Sequence, residues 1–179
     1  TKSGQLAIRW IEQELNKYLN GVMETEDKDY VVAADTDSVY LAFGDLVDKF
    51  LGSVTDKNKI VDMLDSFCED KVQPFIEESY QKLADYMNAY QQKMNMSREV
   101  IADKGIWTAK KRYILNVYDD EGYRYDEPDL KIMGIEAVRS STPSVCRDKI
   151  KESLKIVLRG TEDELQQYIA DFKDEFFEM

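Results

Sequence analysis

Apolar residues first recur along the chain at helical spacing. Ala7, Ile11, Leu15, Tyr18 and Val22 fall three or four apart, so residues 5–22 predict one amphipathic helix with a single buried stripe. Glu24 to Asp29 is a polar connector. The period then changes. Tyr30–Ala34 and Ser38–Phe43 read as strands, and in the second Val39, Leu41 and Phe43 alternate with Ser38, Tyr40 and Ala42, the pattern of a half-buried strand. Between the two stand Asp35 and Asp37, where a hairpin turn belongs. A helical stretch follows over roughly 57–94, its stripe marked by Ile60, Leu64, Phe67, Cys68, Phe75, Ile76, Leu83, Met87 and Tyr90. Pro74 has no amide proton and its ring crowds the preceding turn, so a kink or split is expected near Gln73.

Further on, Arg98–Ala102 and Tyr113–Tyr118 read as strands. The stretch YDDEGYRY supplies a turn, with Gly122 its positive-φ residue, and a returning strand runs through about 123–126 and 130–138. The pattern then turns helical. Thr142 reads as an N-cap, Pro143 as a first helical residue and Gly160 as a C-cap. Thr161–Glu164 (TEDE) reads as a capping box that opens a last helix. The expected class is α+β: an antiparallel sheet packed against helices, then a C-terminal helical pair, with a boundary near Ser140 separating residues 1–139 from 140–179.

Composition narrows the chemistry. The chain has 179 residues, 43% of them hydrophobic, enough for one core or a core plus a small second lobe. Its uncharged apolar runs are far shorter than the roughly 20 residues of a membrane span. The opening TKSGQLAIRWIEQE turns acidic and amphipathic at once, so no signal peptide is expected, and a start at Thr1 rather than Met suggests a fragment or a processed product. The chain lacks histidine, which removes imidazole acid–base catalysis and imidazole-ligated zinc. Cys68 and Cys146 have no metal-ligand spacing, and Cys68 is expected to be a buried thiol. The net charge of −12 argues against nucleic-acid binding, but the charges are segregated. Lys104–Arg112 (KGIWTAKKR) carries four cations and no acid, whereas the stretch from Thr161 to Met179 carries seven acids and one lysine.

Two chemistries compete for Asp35 and Asp37. Aspartate suits turns because its side chain hydrogen-bonds its own backbone. Alternatively, two carboxylates about 4 Å apart repel by roughly 4 kcal/mol at an effective dielectric near 20, and a divalent cation relieves that repulsion. Mg²⁺ takes oxygen ligands, usually one or two carboxylates plus substrate phosphates. Lys110, Lys111 and Arg112 are likewise either a solvated charged face or a set of phosphate contacts.

The ordered motifs carry a resemblance. ADTDSVY closely resembles the D-T-D-S motif of family B DNA polymerases, a hairpin tip in their palm domain. WTAKKRY, downstream past a long helix, resembles their K-K-R-Y motif. KIMGIEAVRSSTP resembles the passage from palm to thumb in the replicative polymerases of large tailed phages, and SGQLAIRWIEQELNKYLN their palm helix before the hairpin. The resemblance implies two-metal nucleotidyl transfer to a primer 3′-hydroxyl. Asp37 is then a Mg²⁺ ligand and Asp35 a neighbouring acid with a lesser role, while Thr36 and Ser38 shape the turn. Lys111 and Tyr113 are expected on one strand face toward the primer, in the same sheet as the hairpin, with Lys110 and Arg112 on the other face. Arg139 would approach the duplex minor groove, Lys131 is a weaker DNA contact, and Glu99 would lie behind the metals. Trp107 and most tyrosines are read as core rather than as stacking platforms.

The implied partners are primer–template DNA, a deoxynucleoside triphosphate, the remaining exonuclease, fingers, palm and thumb segments, and a processivity clamp. The implied location is the bacterial cytoplasm. A further palm aspartate in a D-x-x-S-L-Y-P motif and a fingers N-S-x-Y-G signature, both needed by the family, do not occur in the chain. The chain alone is therefore expected to be inactive. Two other readings stand beside this one. VVAADTDSV also fits a haloacid dehalogenase-like phosphatase with Asp35 as nucleophile, which needs a parallel sheet. A non-enzymatic interaction or scaffold domain is the third.

Overall fold

The computed structural model describes residues 1–52 and 54–178. By contact the chain forms two compact units, Thr1–Glu99 and Val100–Met179. The expected boundary near Ser140 falls inside the second. The class is α+β, with two antiparallel sheets and a C-terminal helical pair.

The first unit is built on helix α1 (Lys2–Met23), which Thr1 caps by accepting a hydrogen bond from the Gly4 amide at 3.2 Å. Its buried stripe is Ala7, Ile11, Leu15, Leu19 and Met23. A strict four-residue step thus replaces Tyr18 and Val22 in the last two turns, and Tyr18 stacks on Phe75 instead, centroids 4.2 Å apart. The stripe packs on Val31 and on Val72, Ile76, Tyr80 and Leu83. Trp10 Nε1 donates to the carbonyl and hydroxyl of buried Ser79, at 3.1 and 3.0 Å. Strands β1 (Val31–Ala34) and β2 (Val39–Leu41) form an antiparallel hairpin. A short helix α2 (Gly44–Leu51) follows, which the hydrophobic pattern does not announce.

Helix α3 (Lys57–Phe67) passes through a π-helical turn (Cys68–Val72) into α4 (Gln73–Tyr86). The α pattern breaks just before Pro74, where the carbonyl four residues back has no amide to receive. Helix α4 ends eight residues earlier than the apolar spacing suggests. Asn88 takes a left-handed φ of 52°, and the Ala89 amide reaches back to the Ala84 carbonyl at 2.9 Å. Met87 and Tyr90, expected in the buried stripe, are therefore exposed.

The second unit is a meander of β3 (Val100–Ala109), β4 (Arg112–Asp120) and β5 (Tyr123–Met133), in that order and antiparallel throughout. Gly122 turns β4 into β5 with φ +86°, as expected. The returning strand is one element rather than two. Pro128 lies on edge strand β5, in the irregular stretch between the pairs Val117↔Asp129 and Asp119↔Arg124. It stops at Met133 rather than running to 138, and residues Glu136–Val138 form a 3₁₀ turn. Helix α5 (Ser144–Arg159) starts after Pro143, which takes the cap position expected for Thr142. Leu158 joins Ile114, Ile135 and Ala137 in a core shared with the sheet. Lys104 Nζ donates to the Leu158 carbonyl at 2.8 Å, and Arg159 Nε to Asn116 Oδ1 at 2.9 Å, locking the last turn of α5 to β3 and β4. The capping box forms as expected: Thr161 N donates to Glu164 Oε2 at 2.8 Å and Glu164 N to Thr161 Oγ1 at 3.3 Å, opening α6 (Glu162–Glu178).

Candidate functional site

Two asparagines on α1 aim the aspartate hairpin. Asn16 Oδ1 accepts from the Tyr30 and Val31 amides at 2.8 and 3.1 Å, and Asn20 Oδ1 from the Lys28 amide at 2.9 Å. The polar connector is thereby fastened to the helix, and β1 leaves it in one direction. Pairing runs Val31↔Leu41, Ala33↔Tyr40 and Ala34↔Val39, with a bulge at Val32. The Asp35 amide donates to the Ser38 carbonyl at 2.9 Å, leaving Thr36 and Asp37 as the bend.

The two aspartates have different surroundings. Asp35 Oδ1 accepts from the Thr36 amide at 2.7 Å and the Thr36 hydroxyl at 3.1 Å, so this carboxylate shapes the turn. Asp35 and Ser38 are half-buried, whereas Thr36 and Asp37 are exposed. No hydrogen bond or ion pair engages the Asp37 carboxylate among the described residues. No group of three or more acidic, histidine or cysteine side chains suited to a metal occurs among the described residues. The donor set that the chain offers is thus a pair of neighbouring carboxylates. That fits Mg²⁺, which keeps several waters and accepts one or two carboxylates with substrate phosphates.

The cationic cluster has a different setting from the one strand alternation gives. Ala109 pairs with Arg112, so Lys110 and Lys111 are the turn of the β3–β4 hairpin and both are exposed. Lys111 adopts φ +60°, a left-handed conformation that costs a side-chain-bearing residue roughly 1 kcal/mol. Opposite faces therefore do not separate Lys111 from Lys110. Nor does this turn share a sheet with the aspartate hairpin: among the described residues, β1 and β2 pair only with each other, in a sheet separate from β3–β4–β5. Tyr113 follows inside β4, half-buried and opposite Trp107, with ring centroids 6.4 Å apart. Arg112 is paired with Glu136. That guanidinium and Arg139 help to hold the Glu136 carboxyl below the usual range, after the larger effect of a backbone hydrogen bond.

Lys131 Nζ contacts both oxygens of Asp120, at 2.9 and 3.2 Å, across β4 and β5. Arg139 is exposed just after the 3₁₀ turn, its amide bonded to the Glu136 carbonyl. Glu99 is exposed in the segment before β3. Within the second unit, Lys110, Lys111, Arg112 and Tyr113 are consecutive on one hairpin, and Glu136 ties Arg112 to the segment carrying Arg139.

The antiparallel pairing also bears on the phosphatase reading. A nucleophilic aspartate of that type ends a parallel strand, and every strand pair among the described residues is antiparallel. No protein-family model matches the chain. Two curated proteins do. The DNA-directed DNA polymerase of Enterobacteria phage T4 is 41% identical over 182 aligned residues, covering 97% of this chain. The DNA-directed DNA polymerase of Escherichia phage RB69 is 44% identical over 171 residues, covering 90%. The chain spans about a fifth of the length of these relatives. At this level of identity, and over nearly its whole length, the chain is similar to one segment of two phage DNA-directed DNA polymerases.

Proposed function

We propose that the chain supplies part of the palm and the start of the thumb of a replicative family B DNA polymerase, residues 1–139 and 140–179 respectively. The observation that carries this is the 41–44% identity with phage DNA-directed DNA polymerases along a chain whose D-T-D-S segment is a hairpin with Asp37 in its exposed bend. Asp37 holds Mg²⁺ in the assembled enzyme. Asp35 gives a second, weaker contact while fixing the turn, and the bend is shaped by Thr36 and Ser38. Mg²⁺ held there would supply charge neutralisation at the phosphates and would ease ionisation of the primer 3′-hydroxyl. The protein's own part is to hold the Asp37 carboxylate out on a hairpin bend, where it would take a cation because no protein cation among the described residues neutralises it.

Lys110 and Lys111 contact primer–template phosphates, which carry charge but no sequence information. Tyr113, stiffened by Trp107, stands one residue beyond Arg112 and faces the primer terminus. Arg139 reaches the duplex, with Lys131 and Glu99 in lesser roles. The deoxynucleoside triphosphate, the remaining polymerase segments and a processivity clamp are the further partners, and the host bacterial cytoplasm is the place of action. No helix among the described residues is long and apolar enough to cross a membrane.

The test uses a polypeptide joining this chain to the segments that its relatives carry around it. Asp37→Ala abolishes nucleotide addition there while duplex affinity stays near the parent value. Retained extension, or a loss of duplex binding equal to the loss of extension, contradicts the assignment.

A further inference from the structure

The Lys110–Lys111 turn is seated on the start of KIMGIEAVRSSTP, more than 20 residues further along the chain. Gly134, just past the end of β5, has φ +65°. A Cβ built on it would lie 2.2 Å from the Lys111 carbonyl oxygen, 3.3 Å from that carbonyl carbon and 3.2 Å from Arg112 Cγ. The nearest obstacle is backbone, which cannot swing aside as a side-chain tip does. Two residues on, Glu136 is ion-paired with Arg112, the residue that closes the turn. One strand end thus touches the turn twice, once by close backbone approach and once by charge. Meanwhile Lys111 is held in a left-handed conformation, which persists only where surroundings over-determine it.

We propose that Gly134 and Glu136 form the seat that fixes the Lys110–Lys111 turn in its nucleic-acid-binding position, Gly134 by having no side chain and Glu136 by tethering Arg112. Both are positioning residues. The inference deepens the assignment of this turn to DNA contact and rests on it. Substituting Gly134 displaces the Lys111 carbonyl and with it the two ammonium groups, although neither lysine is altered.

The test is a salt series of duplex binding by the whole chain, read by fluorescence anisotropy, for the parent, Gly134→Ala, Gly134→Asn, Lys110→Ala/Lys111→Ala and the combined Gly134→Ala/Lys110→Ala/Lys111→Ala variant. Gly134→Ala lowers the slope of log affinity against log salt by about one unit, as loss of one phosphate contact does. Asparagine tolerates the left-handed region but carries the same Cβ, so Gly134→Asn fares no better than alanine. Without the two lysines, Gly134→Ala changes the slope no further. An unchanged slope in Gly134→Ala overturns the proposal. So does an equal drop with and without the lysines, or full recovery with asparagine. If removing both lysines leaves the slope unchanged, the DNA assignment fails, and the seat is judged by amide hydrogen exchange at Lys111 and Arg112. Gly134→Ala speeds exchange at both if the seat exists, and unchanged rates overturn it. Should Gly134→Ala not fold, as judged by the Trp107 near-ultraviolet signal, Glu136→Ala is read in the same exchange experiment with the same two outcomes.

Discussion

Asp35 and Asp37 stand two positions apart and are held differently. Asp35 is bound into its own turn through the Thr36 amide and hydroxyl, while Asp37 projects from the bend. Asp37→Ala therefore leaves thermal stability within about 0.5 kcal/mol of the parent, as exposed substitutions do. Asp35→Ala costs on the order of 1 kcal/mol through lost hydrogen bonds; chemical denaturation of both variants checks the contrast. Lys111 carries strain that a glycine would not. Lys111→Gly is predicted to stabilise the chain by about 1 kcal/mol while lowering the salt slope of duplex binding by about one unit. A variant that gains stability and keeps its slope separates the strain from the function and contradicts the account. Cys68 offers a pH test. Burial, more than the nearby Asp65 and Glu69 carboxylates, pushes its thiol up to about 11, against the partial opposition of Arg98. Only the thiolate reacts, so at pH 7–9 iodoacetamide labelling of Cys68 is slow and rises about tenfold per pH unit. A plateau below pH 9 contradicts this.

Among the elements, the helix–hairpin core carries the first unit. Ile11 is fully buried between α4 and β1, so Ile11→Ala costs roughly 2–5 kcal/mol. A denaturation midpoint near the parent's would show that this stripe is not the core. Much at this scale is legible in the sequence. Local chemistry alone predicts the D-T-D-S hairpin, the break before Pro74, the Gly122 turn and the Thr161–Glu164 capping box, because each needs only neighbouring residues. The misses share a different cause. Helix α2 begins one residue after an alternating strand pattern, and its eight residues bury only Leu46. Helix α4 stops at an asparagine in a left-handed conformation, where apolar spacing through Met87 and Tyr90 runs on. Strand β5 continues through Pro128 because an edge strand tolerates the missing amide. The turn at Lys110–Lys111 contains no glycine, asparagine or aspartate, so it reads as a charge run; its support lies 23 residues from Lys111, at Gly134. The site follows the same rule. The bend that presents Asp37 is local, whereas Asn16, Asn20, Gly134 and Glu136, which fix the two hairpins, act across the fold, and the stretches that contain them do not announce those contacts.

For the molecule as a whole, a net charge of −12 coexists with an exposed cationic turn. Duplex binding by the chain is expected to be weak and to fade with salt, since the total charge opposes approach and only local contacts favour it. The chain aligns with a fifth of its polymerase relatives and gathers no group of three acidic ligands among the described residues. Incubated alone with primer–template, nucleotides and Mg²⁺, it is predicted to add no nucleotide; a single-nucleotide product would contradict that. Metal binding by this chain depends on one carboxylate held out from a bend, which calorimetric titration of the chain with Mn²⁺ tests. Weak binding by the parent is expected to disappear in Asp37→Ala and to be only diminished in Asp35→Ala. Equal binding by the parent and Asp37→Ala would contradict that dependence.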